Sequence, residues 1–351
     1  MVNWDRVKIE SFNNDLLSYY DSHKRDLPWR QSNDAYKIWI SEIMLQQTQV
    51  NTVIDYYNTF MAKYPDVFAL ASANEEELLK IWEGLGYYSR ARNLQVAAKQ
   101  VVDLYDGIFP SDRDKIGKLK GIGPYTSAAI ASMAFNQAYP AIDGNLMRVS
   151  SRLFKIKDDI AKAASRKVFD QVLSYIISID RPGDFNQALM DLGSSICSPT
   201  SPDCMACPIS QYCLSYQDNS MLYYPVKKSK LVKKDVYYNA YAFHYEGSYY
   251  MVKRDKKGLL HNMWTFPLVE INAREYKDLY SENIVVGVSE YIGTIKHVFT
   301  HLIWHINVFL VELDSKDNLM DKGQWIDETL WKERVFPKAQ IKMYELLDRA
   351  K

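Results

Sequence analysis

All four cysteines of this 351-residue chain fall inside one stretch, CSPTSPDCMACPISQYC, residues 197–213. No other feature restricts the fold so tightly, because four thiols this close in sequence either meet at one point or stay reactive. Six, two and five residues separate Cys197, Cys204, Cys207 and Cys213. A cytoplasmic chain seldom keeps disulfides, so the cluster reads as metal ligation. Structural zinc usually takes two Cys-x-x-Cys knuckles across a longer loop. One Cys-x-x-Cys with longer arms better suits a cubane [4Fe–4S] cluster, with zinc and then a disulfide or free thiols as the alternatives. A ferredoxin-like electron carrier is the first function such a cluster suggests. Its place after roughly two hundred helical residues favours a structural or sensing role over bulk electron transfer.

That preceding stretch is helical by its spacing. Asp34 can cap a helix whose apolar residues Tyr36, Trp39, Ile40, Ile43 and Met44 recur at helical intervals, continuing as Val50, Ile54, Tyr57 and Met61. QQTQ (46–49) interrupts that face with polar residues. Further helices read from NEEELLKIWEGL, RARNLQVAAKQVVDLY, YTSAAIASMAF, NLMRVSSRLFKI, SRKVFDQVLSYIISI and DFNQALMDLGSSIC. YYPVKKSKLVKKD then carries five lysines (227, 228, 230, 233, 234) without periodicity and reads as a tether. Beyond it the signal changes to strands. VYYNAYAFHYEGSYYMVKRD reads as a hairpin turning at Glu246-Gly247, and IGTIKHVFTHLIWHINVFLVEL as two strands with a short loop. Pro337 opens a final helix. The expected organisation is a mainly helical domain over 1–221, a linker over 222–234 and an α+β domain over 235–351.

Charge narrows the function classes. Lys and Arg number 43 and Asp and Glu 43, a net charge of zero that argues against a general polyanion-coating protein and leaves room for a local basic face. Tyrosine, at 26 residues, supplies stacking and hydrogen-bonding surface. No apolar run approaches the ~18 residues of a membrane span. MVNWDRVKIESF lacks the apolar stretch of a signal peptide, so a cytoplasmic chain with no membrane partner is expected.

The segment LKGIGPYTSAAIASMAF (119–135) sets Gly-Ile-Gly-Pro between two helical patterns. Gly121 and Gly123 allow positive φ and leave the backbone bare, and Pro124 suits the first position of a new helix. The amides of the turn and of the next helical turn then point outward together, a ready site for one anion. A plain helix-to-helix turn is the alternative.

With LPWR (27–30), SEIMLQQTQV (41–50), GLGYYSRARNL (84–94), AIDGNLMRV (141–149), the cysteine spacing and HVFTHLIW (297–304), that hairpin makes nearly the whole chain resemble the helix-hairpin-helix DNA glycosylase superfamily. Within it the resemblance is to adenine DNA glycosylases of MutY type. It implies a mainly α helix-hairpin-helix domain with an iron–sulfur loop, followed by an α+β Nudix-like domain. The implied partner is double-stranded DNA with adenine mispaired with 8-oxoguanine or guanine, handled by a monomer. It implies that the hairpin glycines hold a DNA phosphate. Glu42 would be the general acid, although periodicity alone makes it a solvated helix-face residue. Asp143 would steady an oxocarbenium-like sugar, although an Asp before Gly-Asn and an apolar helix is also a typical N-cap. Asn145 and Tyr125 would orient Asp143, the water or the sugar. Endonuclease III-like enzymes, which also cleave the strand, carry a lysine where this chain has Tyr125; a phenol forms no imine, so base removal without strand cleavage is implied.

The resemblance further makes Tyr87 a wedge into the duplex, and Gln47, Thr48 and Leu85 contacts to the opposite base. Leu27, Trp29, Arg30 and Leu45, with Arg25 and Gln187, would form the adenine pocket; Trp29 and Leu45 read equally well as core. The Nudix-like domain would read 8-oxoguanine through Phe299, Thr300 and His301, where the family usually has Phe-Ser-His. Threonine keeps the hydroxyl, adds a methyl and stiffens χ1. AREYKDLYSENIVVGVSEYIG lacks the glutamate run that holds magnesium, so nucleotide hydrolysis is not expected. An endonuclease III-like lyase and a non-catalytic cluster-bearing DNA-binding protein are the rival functions.

Overall fold

The computed structural model describes residues 3–228, 232–255, 258–277, 289–316 and 323–350. Lys230 of the tether and residues 278–288 of the stretch compared with the Nudix helix lie outside them. The chain divides into two compact units, Met1–Ala73 with Arg92–Lys230, and Asn74–Ala91 with Leu231–Lys351.

The first unit is helical. Asp34 caps the helix Ala35–Leu45, its carboxylate accepting from the Tyr36 and Lys37 amides at 2.8 and 3.1 Å. The apolar pattern that runs on through Met61 is broken into two helices at QQTQ. Gln47 turns left-handed at φ 57°, the Thr48 amide reaches back to Leu45 O, and a new helix spans Val50–Lys63. The helix Pro124–Phe135 is buried from Thr126 to Ser132, where small side chains let neighbouring helices approach closely. Asp143 caps Gly144–Phe154, Arg166–Ile176 follows, and Pro182–Ser195 packs against both Pro124–Phe135 and Gly144–Phe154. Phe12, Leu16, Leu146, Phe169, Leu173, Phe185 and Leu192 form the main core.

Among the described residues the second unit is built on a seven-stranded sheet. Its strands are β1 (Lys234–Tyr245), β2 (Ser248–Lys253), β3 (Trp264–Thr265), β4 (Leu268–Ile271), β5 (Ser289–Val298), β6 (Leu302–Glu312) and β7 (Gly323–Asp327). The path is β3-β2-β1-β6-β5, with β4 beside β1 and β7 beside β2. β1 and β2 form the expected hairpin across Glu246-Gly247, and β5 and β6 pair antiparallel. β1 pairs with β6 in parallel from Lys234↔Leu302 to His244↔Glu312, so the sheet is mixed. Ala339, Met343 and Leu347 of the final helix Lys338–Ala350 close over Trp304, Ile306 and Phe266. Residues Phe299–His301 are the β5–β6 turn, closed by the Phe299 amide on Leu302 O at 2.8 Å.

Among the described residues no helix is long and apolar enough to cross a membrane.

Candidate active site

Three distant segments of the first unit meet at a cavity of about 1030 Å³. The helix Ala35–Leu45 brings Glu42, only 5% exposed, so the solvated position expected from periodicity is corrected. Burial follows from the facing helix: the Tyr125 hydroxyl donates to Glu42 Oε2 at 2.5 Å. Loss of water pushes the Glu42 carboxyl up to about 7, the Tyr125 bond and Arg30 pulling it back and Asp143 adding to the rise. The Tyr125 phenol is held well above its ordinary value by the same burial and the carboxyls beside it.

Asp143 does two things at once. Its Oδ1 accepts from the Leu146 amide at 2.7 Å, the cap that sequence alone suggested, while Oδ2 accepts from Asn145 Nδ2 at 2.8 Å on the cavity side. Burial raises this carboxyl too, but hydrogen bonds from Leu146 and Asn145 and the charge of Arg148 oppose the rise. Two carboxyls in one cavity are thus both raised by burial but differ in the donors that oppose the rise. Asn145 is itself held by Arg148, which donates to its Oδ1 at 2.8 Å, to Gly193 O at 2.7 Å and to Cys197 O at 2.8 Å. Gly193 makes the room: a Cβ there would stand 2.7 Å from the Asn145 Cβ.

Leu27, Trp29, Arg25, Arg30, Leu45 and Gln187 line the same cavity. Leu27 and Trp29 are also buried, Trp29 packing edge-on against Tyr57 at 5.3 Å. Sequence reasoning missed Asp191. Its carboxylate takes Arg30 in a two-pronged pair at 2.7 and 3.1 Å and accepts from Arg25 Nη2 as well. Its place one helical turn after Gln187 was the available signal. Arg148 and Arg166 went unremarked too, and nothing local in the sequence marks them.

Gln47, Thr48, Gly121 and Gly123 stand on the cavity wall. Only one hairpin glycine uses the freedom expected of both. Gly121 has φ 77°, and a Cβ there would meet Asn93 Cβ at 2.7 Å. Gly123 is extended at φ −93°, with open space where a side chain would go. The Ile122 amide is spent on Leu119 O, whereas among the described residues neither Gly121 nor Gly123 donates its own N–H internally. Bare amides beside a helix N-terminus suit an anion.

Leu85 and Tyr87 belong to the second unit with Phe299, Thr300 and His301. Leu85 is buried, while Tyr87 is 46% exposed with φ 47°. The Tyr87 and Thr300 hydroxyls hydrogen-bond to each other. Phe299 packs edge-on against Trp304 at 4.9 Å and His297 at 4.6 Å, and Thr300 and His301 are exposed.

Cys197, Cys204, Cys207 and Cys213 line one further cavity. Among the described residues no three His, Cys, Asp or Glu side chains stand close enough together to grip a single ion. The donor chemistry nevertheless suits a thiolate-bound group. Arg152, 2% exposed, aims Nη1 at Cys197 Sγ at 3.2 Å and ties down the carbonyls of Ser198, Pro199, Met221 and Tyr224. Burial pushes the Cys207 thiol up to about 12, a bias that coordination to a cation reverses.

Comparison with known proteins agrees with this geometry. Residues 40–174 match the model of the HhH-GPD superfamily base excision DNA repair proteins, and residues 239–346 match a NUDIX domain. The chain is thus a helix-hairpin-helix base excision repair protein with a Nudix domain attached. Adenine DNA glycosylase of Buchnera aphidicola subsp. Schizaphis graminum is 31% identical over 97% of this chain and 99% of its own length. That of Arabidopsis thaliana is 34% identical over 90% of this chain, which spans 60% of that relative. A thermostable thymine-DNA glycosylase structure superposes with a TM-score of 0.54 at 29% identity, over 60% of this chain and 97% of its own. The chain belongs to the adenine DNA glycosylase family.

Proposed function

We propose that this chain excises adenine paired with 8-oxoguanine or guanine in double-stranded DNA, as a monomer, and leaves the strand uncut. The observation that carries the reading is Glu42: a buried carboxyl raised to about 7 and bonded to a phenol that can form no imine. An everted adenine entering the cavity would meet this acid at its position-seven nitrogen. Protonation there makes the purine a neutral leaving group, and the bond to the sugar breaks with its electron pair going to the base. The positive charge left on the sugar faces the Asp143 carboxyl, whose donors oppose the rise that burial causes, until water adds. Glu42 has then lost its proton and recovers it from the water consumed.

The pocket would draw on Leu27, Trp29, Leu45 and Gln187, with Arg25 and Arg30 fixed by Asp191. Gly121 and Gly123 would hold a phosphate, Tyr87 would wedge the duplex, and Gln47, Thr48, Leu85 and the Phe299–His301 turn would meet the opposite base. Cys197, Cys204, Cys207 and Cys213 would hold a [4Fe–4S] cluster, which supplies, when bound, a cross-link that fixes the loop around it. We read residues 1–221 as catalytic, 222–234 as a tether and 235–351 as the lesion reader.

The test is incubation with duplexes holding adenine opposite 8-oxoguanine, or thymine glycol. Adenine release with strand breaks only after alkali supports the proposal. Direct nicking, or an abundant borohydride-trapped adduct, refutes it.

A further inference from the structure

Among the described residues, one of the cavity's arginines takes part in no ion pair. Arg166, the first residue of the helix Arg166–Ile176, lines the cavity that holds Glu42, Tyr125 and Asp143. Its Nη2 donates to Ile142 O at 2.5 Å, so the side chain is anchored to the residue just before Asp143. One carbonyl occupies one of five N–H donors. Among the described residues no carboxylate lies within ion-pairing distance of it, and Asp170 and Asp143 act on it only from further off. Arg113 adds a like charge, and partial burial removes water. A guanidinium so placed is destabilised unless something negative arrives.

Gly121 and Gly123 stand on the same cavity wall with N–H groups that have no internal acceptor among the described residues. The cavity therefore presents two separate anion-seeking groups, one of backbone amides and one of a fork-shaped cation. A planar guanidinium with free paired donors matches a phosphodiester's two oxygens better than it matches a neutral base. Its other conceivable duty, opposing the rise that burial causes at Asp143, falls to the Leu146 and Asn145 hydrogen bonds and to the charge of Arg148.

We propose that Arg166 is a phosphate-binding residue, gripping a target-strand phosphodiester next to the everted nucleotide while the hairpin amides take another. This rests on the DNA-directed reading above, and its test is separable from that reading. Wild-type protein that releases no adenine refutes the glycosylase proposal; the Arg166 proposal is judged on active protein.

The experiment titrates wild-type and Arg166→Gln protein against a duplex carrying a cleavage-resistant 2′-fluorinated adenosine opposite 8-oxoguanine, over a salt series. Each phosphate flanking the adenosine is replaced in turn by an uncharged methylphosphonate. Loss of one phosphate contact should reduce the slope of log affinity against log salt by about 0.9. One methylphosphonate position should weaken wild-type binding about tenfold and leave Arg166→Gln unchanged. Arg166→Lys, which keeps the charge, should keep the slope, and the acid limb of the excision profile should not move in either variant. An unchanged slope, additive losses at every position, or a moved acid limb overturns the proposal. If Arg166→Gln melts below the assay temperature, Arg166→Met, which keeps the packing of the stem, replaces it with the same outcomes.

Discussion

Chemistry and recognition make opposite demands on a surface, and the proposed function divides them between two regions of this molecule. The helical cavity is dry where it matters: Glu42 is 5% exposed, and its proton is held by that dryness. The β5–β6 turn keeps Thr300 and His301 in solvent, beside a Tyr87 ring that is 46% exposed. Buried helices supply a fixed low-dielectric wall, in which a carboxyl can stay protonated near neutrality. A tight turn on a sheet supplies polar groups at a rigid edge without burying them. Changes in the first region should therefore cost orders of magnitude in rate, and changes in the second only selectivity.

The largest effect is expected at Glu42. Removing a general acid costs about 10²–10⁴ in rate, so Glu42→Gln should lose excision by that factor in single-turnover assays. The same substitution should stabilise the fold. A carboxyl raised from 4.5 to about 7 contributes fully below the ordinary value and loses that contribution as pH rises through about 7. By pH 8 the penalty is on the order of 3 kcal/mol, and glutamine removes it. Thermal melts should favour the variant at pH 8 and converge with wild type near pH 4. Equal melting gaps at both pH values, or undiminished excision, would break the contrast at its root.

Asp143→Asn comes next, at about 10²–10³ in rate, as for loss of one charge-stabilising group. Asparagine keeps the Leu146 cap, but its amide nitrogen would face the Asn145 amide from which Oδ2 now accepts, so chemical denaturation should show a loss of only about 1 kcal/mol. A large stability loss with intact excision would make Asp143 a cap and nothing more. Tyr125→Phe sharpens the same point more gently. The phenol donates to the Glu42 carboxylate and lowers its pKa, so its loss should move the alkaline limb of the excision profile upward, by roughly one to two pH units. A downward shift would mean that the bond favours the neutral acid.

How much of this was legible depends on whether the cause is local. Asp34, the Glu246-Gly247 turn and the Pro124 start act within a few residues, and the structure has each where the pattern put it. The parallel β1–β6 pairing joins residues such as Lys234 and Leu302, whose separation leaves no trace in either segment's alternation. The attachment of Asn74–Ala91 to the second unit is equally silent. There the Phe336 amide donates to Glu83 at 2.9 Å and Lys80 to Arg334 O at 2.9 Å, contacts that no window of sequence contains. Glu42 is the sharpest case. A helix face is judged wet or dry by its own residues, but this one is dried by a facing helix eighty residues on, and only the family resemblance singled it out.

The smallest effect is expected at Thr300. Its hydroxyl is engaged by Tyr87, and its methyl and second χ1 constraint distinguish it from the serine usual in the family. Thr300→Ser keeps the hydroxyl, so it should leave the ratio of excision opposite 8-oxoguanine to that opposite guanine within about twofold. Thr300→Val keeps the shape and loses the hydrogen bond, worth about 0.5–1.5 kcal/mol, so the ratio should fall roughly 2–10-fold with little change in the single-turnover rate at saturation. If Thr300→Val instead lowered the saturating rate as steeply as Asp143→Asn, recognition and chemistry would not be divided between the two regions, since a solvent-exposed turn would then govern the breaking of the bond.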